Sequence, residues 1–396
     1  MAKTYLVTGG AGFIGSNFVH YLLWTHEDAI VVNVDALTYA GNLDNIADLA
    51  DHPRHIFIHA DICDEKALDG IFGKYGPDYV VNFAAESHVD RSLEDPFAFN
   101  RTNVEGVLTL LAAARHDWEE PDGSYGDHVF LQVSTDEVYG SLPAADKIAR
   151  FKEASLLAPG NPYSASKASA ELYTMAYANT YGLPVIITRC GNNYGPYQHP
   201  EKLMPLVITN ALAGEPVPLY GDGSNIRDWI YVADHCRALD LVLERGRVRQ
   251  VYNISAGYER ENAEVVVALV DELARQTGND AYADSKVQFV EDRKGHDYRY
   301  GTDCSKLCRE LGWEPQTDFD DGIRKTVYWY LTHQDWSKRV LEGGVEENNQ
   351  RLLVEWDEVA KAVKKQERKD AEKAAKAEKR AGRHRRRGGR HLLKKQ

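Results

Sequence analysis

The sequence predicts an α/β fold in which a doubly wound parallel sheet carries a smaller, partly interleaved α/β lobe. Short, β-rich apolar runs alternate with helical stretches through the first half of the chain, and this alternation is typical of βαβ units. A run of three spaced glycines follows the first strand, where the first helix starts. After Gly191 the elements shorten and Gly and Pro become frequent, which indicates the start of the second lobe.

Individual elements follow from local patterns. Runs rich in β-branched and aromatic residues predict strands at 5–8, 30–34, 56–58, 79–81, 129–131 and 185–187. Helical periodicity predicts helices at 13–24, 96–115 and 163–181. The expected domains are 1–190 with 231–255 interleaved, a second lobe at 191–335, and a charged, basic, flexible or helical tail at 345–396.

Composition and charge narrow the class of protein. The chain has 396 residues, 43% of them hydrophobic, which suffices for a large core. It has no run of 18 apolar residues, so we expect no membrane span. Met1-Ala2-Lys3 leads straight into a strand pattern without a signal-peptide layout, so we expect a cytoplasmic protein.

The net charge is unevenly distributed. Residues 361–396 carry a net charge of +12 while the whole chain carries −13, so the remaining body is near −25. An acidic body argues against a nucleic-acid enzyme. A helix from about Leu353 to Arg380 without an apolar face would be solvated, so we expect residues after about Val354 to be dispensable for catalysis. The charge of the basic run from Arg383 to Arg390 suits attraction to three partners: anionic lipid, nucleic acid or the acidic body of the protein itself.

The cysteines indicate neither a metal site nor a disulfide framework. There are five, an odd number, at irregular spacings. Cys304 and Cys308 are four apart, which places them on one helical face. We therefore expect free thiols in a reducing compartment and no metal.

Gly9, Gly12 and Gly15 form Gly-x-x-Gly-x-x-Gly directly after the first predicted strand. The first glycine permits a tight turn, the second lets the backbone approach a pyrophosphate, and the third lets the helix pack on the strand. The helix N-terminus adds N–H donors and a positive dipole. A glycine triplet alone is a weak signal, but this strand–turn–helix context predicts a Rossmann-type dinucleotide site.

Asp35 ends the second predicted strand, 20 residues beyond Gly15. A carboxylate there accepts hydrogen bonds from the adenosine ribose and repels a 2′-phosphate, so NAD is expected rather than NADP. The alternative is an ordinary turn aspartate before Ala36. The ends of the third and fourth strands are expected to line the adenine and the cofactor groove through Asp61, Ile62, Phe83, Ala84 and Ala85.

Tyr163 and Lys167 form Tyr-x-x-x-Lys on a predicted helix, where residues four apart share a face. A free tyrosine has a pKa of about 10, and a nearby ammonium is expected to lower it. The pair then suits removal of a hydroxyl proton while a hydride leaves the same carbon for nicotinamide. The spacing also occurs on ordinary helix surfaces, so the upstream glycine run carries the functional interpretation.

Thr135, Asp136 and Glu137 follow a strand of the predicted parallel sheet, at the edge where such sheets bind ligands. A dehydrogenase needs only a hydroxyl there, which Thr135 supplies. Elimination of water needs in addition an acid for the leaving hydroxyl and a base for the carbon acid. The alternative is a solvated acidic loop.

Nine motifs in order make the chain resemble one family over about residues 3–340. They lie at 8–15, 37–42, 85–92, 135–137, 163–167, 192–197, 200–203, 227–229 and 292–297. The set resembles the dTDP-glucose 4,6-dehydratases, a family of extended short-chain dehydrogenase/reductases. Thr-Asp-Glu is the most specific motif, because related GDP-mannose dehydratases generally carry Thr-Ser-Glu and 4-epimerases lack the acid pair.

The resemblance implies a reaction on dTDP-glucose. Tyr163 would deprotonate the C4 hydroxyl as NAD⁺ takes the C4 hydride, Glu137 would remove the C5 proton, and Asp136 would protonate the departing C6 hydroxyl. Hydride return to C6 would yield dTDP-4-keto-6-deoxyglucose, so a tightly bound NAD is regenerated each turnover. The resemblance also implies a homodimer, through a bundle using the helices at 96–115 and 163–181.

The resemblance further assigns binding residues. Those expected at the cofactor, besides the residues named above, are Phe13, Ile14, Leu37, Thr38, Thr102 and Asn193. Those expected at the substrate, besides Thr135, are Ser87, Asn192, Lys202, Leu203, Pro218, Tyr220, Arg227, Asn262, Arg293 and His296. Arg227 and Arg293 suit a pyrophosphate, because a planar guanidinium binds two oxygens at once.

Two alternatives remain at this point. A UDP- or GDP-sugar 4,6-dehydratase would share the chemistry and differ in the base pocket. A non-catalytic dinucleotide-binding regulator would have no need of all five of the residues Thr135, Asp136, Glu137, Tyr163 and Lys167. The sequence does not identify the downstream pathway.

Overall fold

The computed structural model of the chain describes residues 3–144, 146–358 and 361. Its centre is a seven-stranded sheet in which every neighbouring pair is parallel, with the strand order β10-β6-β5-β4-β1-β2-β3. This confirms the predicted doubly wound sheet. The strands are β1 (Thr4–Thr8), β2 (Ile30–Asp35), β3 (His55–His59), β4 (Tyr79–Asn82), β5 (Val129–Thr135), β6 (Val185–Cys190) and β10 (Gln250–Ile254).

Helices cover both faces of the sheet, and alternate strand residues face each layer. Leu6 of β1 belongs to one apolar cluster and its neighbour Val7 to the other. Strands buried on both faces must be apolar throughout, which explains their short continuous hydrophobic runs. The covering helices are α1 (Phe13–Thr25), α2 (Glu65–Tyr75), α5 (Val107–Trp118), α6 (Pro162–Tyr181) and α8 (Val232–Arg245).

The predicted helix at 96–115 is a succession of shorter elements. It follows α3 (Val89–Glu94) and comprises α4 (Pro96–Asn100), a π-helical stretch (Arg101–Gly106) and α5. Two 3₁₀ helices, Leu43–Leu49 and Asp136–Tyr139, follow β2 and β5. A third, Asp280–Tyr282, lies in the second lobe.

The second lobe has its own apolar core, in which Trp229, Leu269 and Val327 are buried. It contains the small sheets β11-β9-β7 and β12-β8. Between β9 and β11 the chain returns through α8 to β10, which extends the large sheet beside β6. The lobe elements are β7 (Asn192–Tyr194), α7 (Leu203–Ala213), β8 (Val217–Tyr220), β9 (Ile226–Tyr231), β11 (Glu259–Glu261), α9 (Asn262–Thr277), β12 (Val287–Val290) and α11 (Phe319–Thr332). The helix α10 (Ser305–Leu311) packs instead against α8 and β10, beside the large sheet.

The last described residues pack against the rest of the protein. This packing differs from the sequence-based expectation of a solvated, charged tail from residue 345 onward. After α12 (Gln334–Leu341), residues 345–358 form a helix, here called the C-terminal helix. Val345, Leu352, Leu353 and Trp356 recur at helical spacing and pack against the apolar clusters. These residues form an apolar helix face, which the sequence analysis did not predict for this charged segment. The basic run at 383–390 lies outside the described residues.

No helix among the described residues is both long and apolar enough to cross a membrane.

Candidate active site

The glycine run forms a tight turn between β1 and α1. Gly9 has a φ of +71°, and a Cβ at this position would lie 2.7 Å from the backbone nitrogen of Ala84. A Cβ at Gly15 would lie 2.1 Å from the carbonyl oxygen of Gly9. Both positions therefore require glycine, and the turn lies beside β4, where the strand order reverses between β1 and β4.

Asp35 is buried at the end of β2, where its two carboxylate oxygens accept different backbone donors. The N–H of Ala11 donates to one oxygen over 2.9 Å and the N–H of Leu37 donates to the other over 2.8 Å. Burial raises the pKa of Asp35, and these two hydrogen bonds oppose the shift. The carboxylate thus ties the glycine turn to the loop that follows β2.

One cavity of about 340 Å³ brings together nearly all the residues expected at the cofactor. Leu37 is the exception: it packs against the apolar core, with a left-handed φ of 52°. The expected residues that line the cavity are Gly9, Gly12, Phe13, Ile14, Gly15, Asp35, Thr38, Asp61, Ile62, Phe83, Ala84, Ala85, Thr102, Tyr163, Lys167 and Asn193.

Thr135, Asp136 and Glu137 lie at the carboxyl end of β5. Thr135 caps the following 3₁₀ helix, because its hydroxyl accepts a 3.3 Å hydrogen bond from the N–H of Glu137. The side chains of Thr135 and Glu137 line the cavity, and Asp136 is buried beside them at 2% exposure. Its Oδ2 has no hydrogen-bond partner within the described parts of the chain.

The two adjacent carboxyl groups differ in their surroundings. Burial raises the pKa of Asp136 well above its usual range, and the negative charges of Glu137 and Asp228 raise it further. Glu137 faces the cavity and receives a 3.4 Å hydrogen bond from the hydroxyl of Tyr300. A carboxyl group whose pKa is raised by burial therefore lies next to one that faces the cavity, an arrangement that suits an acid and a base.

Tyr163 and Lys167 lie on the first turns of α6. Asn161 caps this helix through a reciprocal pair of hydrogen bonds with Ser164, and Pro162 begins it. The ammonium of Lys167 donates a 2.8 Å hydrogen bond to the carbonyl of Val133 on β5. This contact fixes the start of α6 against the strand end that carries the acid pair.

The pKa of Tyr163 shifts in the direction opposite to the sequence-based expectation. Burial raises the pKa of Tyr163 well above its usual value, and the charge of Glu137 adds to the shift. Burial also lowers the pKa of Lys167 to about 8. In the protein alone, burial therefore raises the pKa of Tyr163 more than the Lys167 ammonium lowers it, because desolvation penalises every charged group in the pocket.

Part of the expected substrate set shares the cavity with the cofactor residues. Ser87, Asn192 and Lys202 line it. The Lys202 ammonium donates a 3.3 Å hydrogen bond to the carbonyl of Ser87, so it links the second lobe to the end of β4. Ser87, the residue expected to face the hexose, thus lines the same cavity as Glu137 and Tyr163.

The remaining expected substrate residues lie in the second lobe, outside this cavity. The guanidinium of Arg227 stacks on Tyr300 at 4.3 Å and donates to the carbonyl of Asp297 over 2.9 Å. Asn262 Oδ1 and Arg293 Nε are buried with no hydrogen-bond partner within 3–144, 146–358 and 361, so both remain available to a ligand. The others are Leu203 at the start of α7, Pro218 and Tyr220 on β8, and His296.

His296 and Tyr220 adjoin each other in that lobe. His296 Nδ1 lies 2.5 Å from a carboxylate oxygen of Asp292, and its ring packs edge-on against Tyr220. The Tyr220 hydroxyl donates a 3.2 Å hydrogen bond to Asp90, close to the motif that contains Ser87. The expected substrate residues thus extend from the cavity along the second lobe.

Sequence reasoning missed several residues of the site. Tyr300 donates a 2.8 Å hydrogen bond to Asp297 in addition to its contact with Glu137. Asp297 lies in a motif already recognised, whereas no local pattern marked Tyr300. The cavity is further lined by Tyr39, Gln198, His199, Glu201, Trp336, Val340 and Val345.

The fold and the site together define an extended short-chain dehydrogenase/reductase of the nucleotide-sugar dehydratase class. The family model described as GDP-mannose 4,6 dehydratase matches residues 6–326. The chain belongs to the dTDP-glucose 4,6-dehydratase family. It is 52% identical over 345 residues to dTDP-glucose 4,6-dehydratase of Xanthomonas campestris pv. campestris (strain B100), covering 86% of this chain and 96% of that protein.

Solved structures agree with this assignment. A dTDP-glucose 4,6-dehydratase from Bacillus anthracis str. Ames, crystallised in complex with NAD, is 46% identical with a TM-score of 0.75, covering 86% of this chain and 100% of that one. Another, from Streptomyces venezuelae with NAD bound, is 47% identical with a TM-score of 0.77, covering 85% and 99%.

Proposed function

We propose that the chain converts dTDP-glucose to dTDP-4-keto-6-deoxyglucose and water, with NAD as a tightly bound cofactor. The observation that carries this proposal is the position of Thr135, Glu137, Tyr163 and Lys167 in one cavity with the glycine turn. A simple dehydrogenase has no use for the additional carboxyl groups, whereas a dehydratase needs both an acid and a base.

The residues present fit NAD. Gly12 lines the cavity at the N-terminus of α1 and has no side chain, so the backbone can approach a pyrophosphate there. Asp35 places a carboxyl group at the end of β2, on the cavity wall, which suits a free ribose hydroxyl better than a 2′-phosphate. When bound, NAD⁺ accepts the C4 hydride and returns it to C6, and its positively charged ring favours the phenolate of Tyr163.

Oxidation at C4 uses Tyr163 as the base. Tyr163 lines the cavity together with Thr135, whose side chain would position the C4 oxygen. Lys167 holds the first turns of α6 against β5 through Val133. The proton of the C4 hydroxyl passes to the Tyr163 oxygen while the C4–H bond breaks, and the C4 ketone forms.

Elimination uses the acid pair. The ketone acidifies the C5–H bond, and Glu137 removes that proton. Asp136 donates a proton to the C6 hydroxyl, which leaves as water while the C5–C6 double bond forms. The raised pKa of Asp136 supports this assignment, because only a neutral carboxyl can donate. Glu137 then returns its proton to C5 as C6 receives the hydride.

The second lobe would bind the nucleotide. Arg227 and Arg293 would bind the pyrophosphate, because each guanidinium group can donate hydrogen bonds to two oxygens at once. The Oδ1 of Asn262 and the Nε of Arg293 have no hydrogen-bond partner in the part of the chain that the structure describes, which supports a polar ligand there. His296 and Tyr220 would border the thymidine end.

We further propose a homodimer in the cytoplasm. Phe97 of α4 and Leu172 of α6 are 82% and 64% exposed, and large exposed apolar side chains on adjacent helices favour a bundle between two copies. All five cysteines are free thiols, which supports a reducing compartment. Light scattering of the purified protein and cell fractionation test these two statements.

Turnover tests the proposed function. The full chain is incubated with dTDP-glucose, UDP-glucose or GDP-mannose, and loss of water from the sugar is followed by mass spectrometry. We expect product from dTDP-glucose at a far higher kcat/KM than from the other two. Preference for another nucleotide would reassign the substrate, and no product from any of them would refute the proposed reaction.

A further inference from the structure

The segment that follows β2 and includes the first 3₁₀ helix, residues 36–49 and here called the β2 loop, is connected directly to the glycine turn. The carbonyl of Ala11 accepts hydrogen bonds from the N–H of Asn42 over 3.0 Å and from the side-chain amide of Asn45 over 2.9 Å. The N–H of Ala11 donates to Asp35. Displacement of the β2 loop would therefore disturb both the turn and the carboxyl group expected at the ribose.

Asn349 of the C-terminal helix bonds the β2 loop through both ends of its amide. Its Nδ2 donates a 2.8 Å hydrogen bond to the carbonyl of Gly41, and its Oδ1 accepts a 2.9 Å hydrogen bond from the N–H of Leu43. The side chain is buried, with 3% of the residue exposed. Because buried polar groups cost free energy when unpaired, this amide strongly favours one position of the loop.

The helix α12 adds contacts to the same loop. The indole N–H of Trp336 donates a 2.9 Å hydrogen bond to Asn45, and Arg339 pairs with Asp44 over 2.8 Å. Trp336 and Val340 also line the cofactor cavity, as does Val345 at the start of the C-terminal helix. One continuous segment therefore holds the β2 loop and forms part of the cavity wall.

The far end of the C-terminal helix is anchored on the sheet. Trp356 packs edge-on against Phe57 of β3, with ring centroids 5.4 Å apart, and against His55 at 6.4 Å. Leu352 is buried one turn earlier. These apolar contacts keep Asn349 in register with the loop, independently of its own hydrogen bonds.

We propose that residues 334–358 are a latch that holds the β2 loop closed over the adenosine end of the cofactor and slows its release. The inference rests on the proposed use of NAD. A cofactor regenerated within each turnover gains nothing from exchange, so a closed loop costs no turnover.

The rate of NAD release tests the latch. The full chain is loaded with radiolabelled NAD, an excess of unlabelled NAD is added, and retained label is followed over time. Asn349→Leu removes both hydrogen bonds to the loop, so we expect release about tenfold faster, the equivalent of roughly 1.4 kcal/mol. The matched control is Arg351→Ala on the same helix, because Arg351 is exposed and bonds only Asn348 and Glu355 within the described residues; it should release NAD at the wild-type rate.

A second variant, Trp356→Ala, removes the packing of the C-terminal helix on β3. It tests the latch even if Asn349→Leu does not fold. It should also accelerate release severalfold, although Trp356 does not line the cavity. Unchanged release rates in the folded variants, with only a lower melting temperature of the NAD-free protein, would show a purely structural role and overturn the latch. A wild-type chain that fails to retain NAD at all would instead refute the proposed cofactor.

Discussion

The ammonium of Lys167 on α6 donates a 2.8 Å hydrogen bond to the backbone carbonyl of Val133 on β5. This bond crosses from the helix that carries Tyr163 to the strand that ends in Thr135, Asp136 and Glu137. Lys167 thereby holds Tyr163, the proposed oxidation base, against the strand end that carries the proposed acid pair. Lys167 also lies one helical turn from Tyr163, so its positive charge is expected to favour a phenolate formed there during turnover.

Lys167→Met is expected to lower kcat by at least about 100-fold, since general base catalysis contributes on the order of 10² to 10⁴. The methionine keeps the apolar stem and loses both the charge and the bond to Val133. Steady-state kinetics with dTDP-glucose measure the loss. Lys66→Met, on the exposed side of α2, is the control and should leave kcat unchanged. A fully active Lys167→Met would remove Lys167 from the mechanism.

Glu137→Gln is expected to separate oxidation from elimination. Tyr163 remains able to take the C4 proton, but no base remains for C5–H. Mixing the variant, NAD⁺ and dTDP-glucose should produce the absorbance of NADH without dehydrated product. Glu120→Gln, in an exposed loop, should behave as wild type. Normal product formation by Glu137→Gln would show that the base lies elsewhere.

Asp136→Asn is expected to lower kcat strongly with little change in KM, because an amide keeps the shape but has no acidic proton to give. The raised pKa predicts that the wild-type rate falls at alkaline pH as Asp136 loses its proton. A variant that binds substrate more weakly but turns over normally would make Asp136 a binding residue.

The same substitution has a consequence for stability. The pKa of Asp136 is raised in the folded protein above its usual value of 3.8, so its contribution is fully present below that value and is lost as pH rises through the folded pKa. An asparagine carries no charge at any pH, so Asp136→Asn removes this pH-dependent loss of stability. Its melting temperature should therefore exceed that of the wild type at neutral and higher pH, and the difference should shrink toward pH 4. An equal difference at every pH would mean that the charge of Asp136 is not its source.

Arg293→Met is expected to raise KM for dTDP-glucose about tenfold while changing kcat little, since a hydrogen bond to a charged group contributes roughly 1.5 to 3 kcal/mol. Calorimetric titration with dTDP alone measures the same loss without turnover. Arg309→Met, on the exposed side of α10, is the control. Unaltered dTDP affinity in Arg293→Met would place the pyrophosphate elsewhere.

Truncation distinguishes the two parts of the C-terminal region. Removal of residues 362–396 is expected to leave turnover within about twofold of wild type, following the expectation that the charged tail is dispensable. A cut after Val354 also removes Trp356, which packs on β3, and should lower the melting temperature. Loss of turnover in the shorter truncation would show that the tail reaches the active site.

The sequence by itself determined the local parts of this protein. The glycine turn, the strand that precedes it and the Tyr163–Lys167 pair were all predictable, because each depends on residues within a few positions of one another. The same holds for the alternation of strands and helices that identifies the parallel sheet. The family assignment followed from short motifs in order, which the comparisons confirmed.

Only the tertiary structure decided which distant residues meet and how deeply they are buried. Tyr300 reaches Glu137 across 163 positions, and Asn349 reaches Gly41 across 308, through contacts that no local pattern encodes. Burial also reversed the expected shift of Tyr163, whose pKa rises although Lys167 lies one turn away. Desolvation depends on everything packed around a group, so its strength becomes known only once the chain is folded.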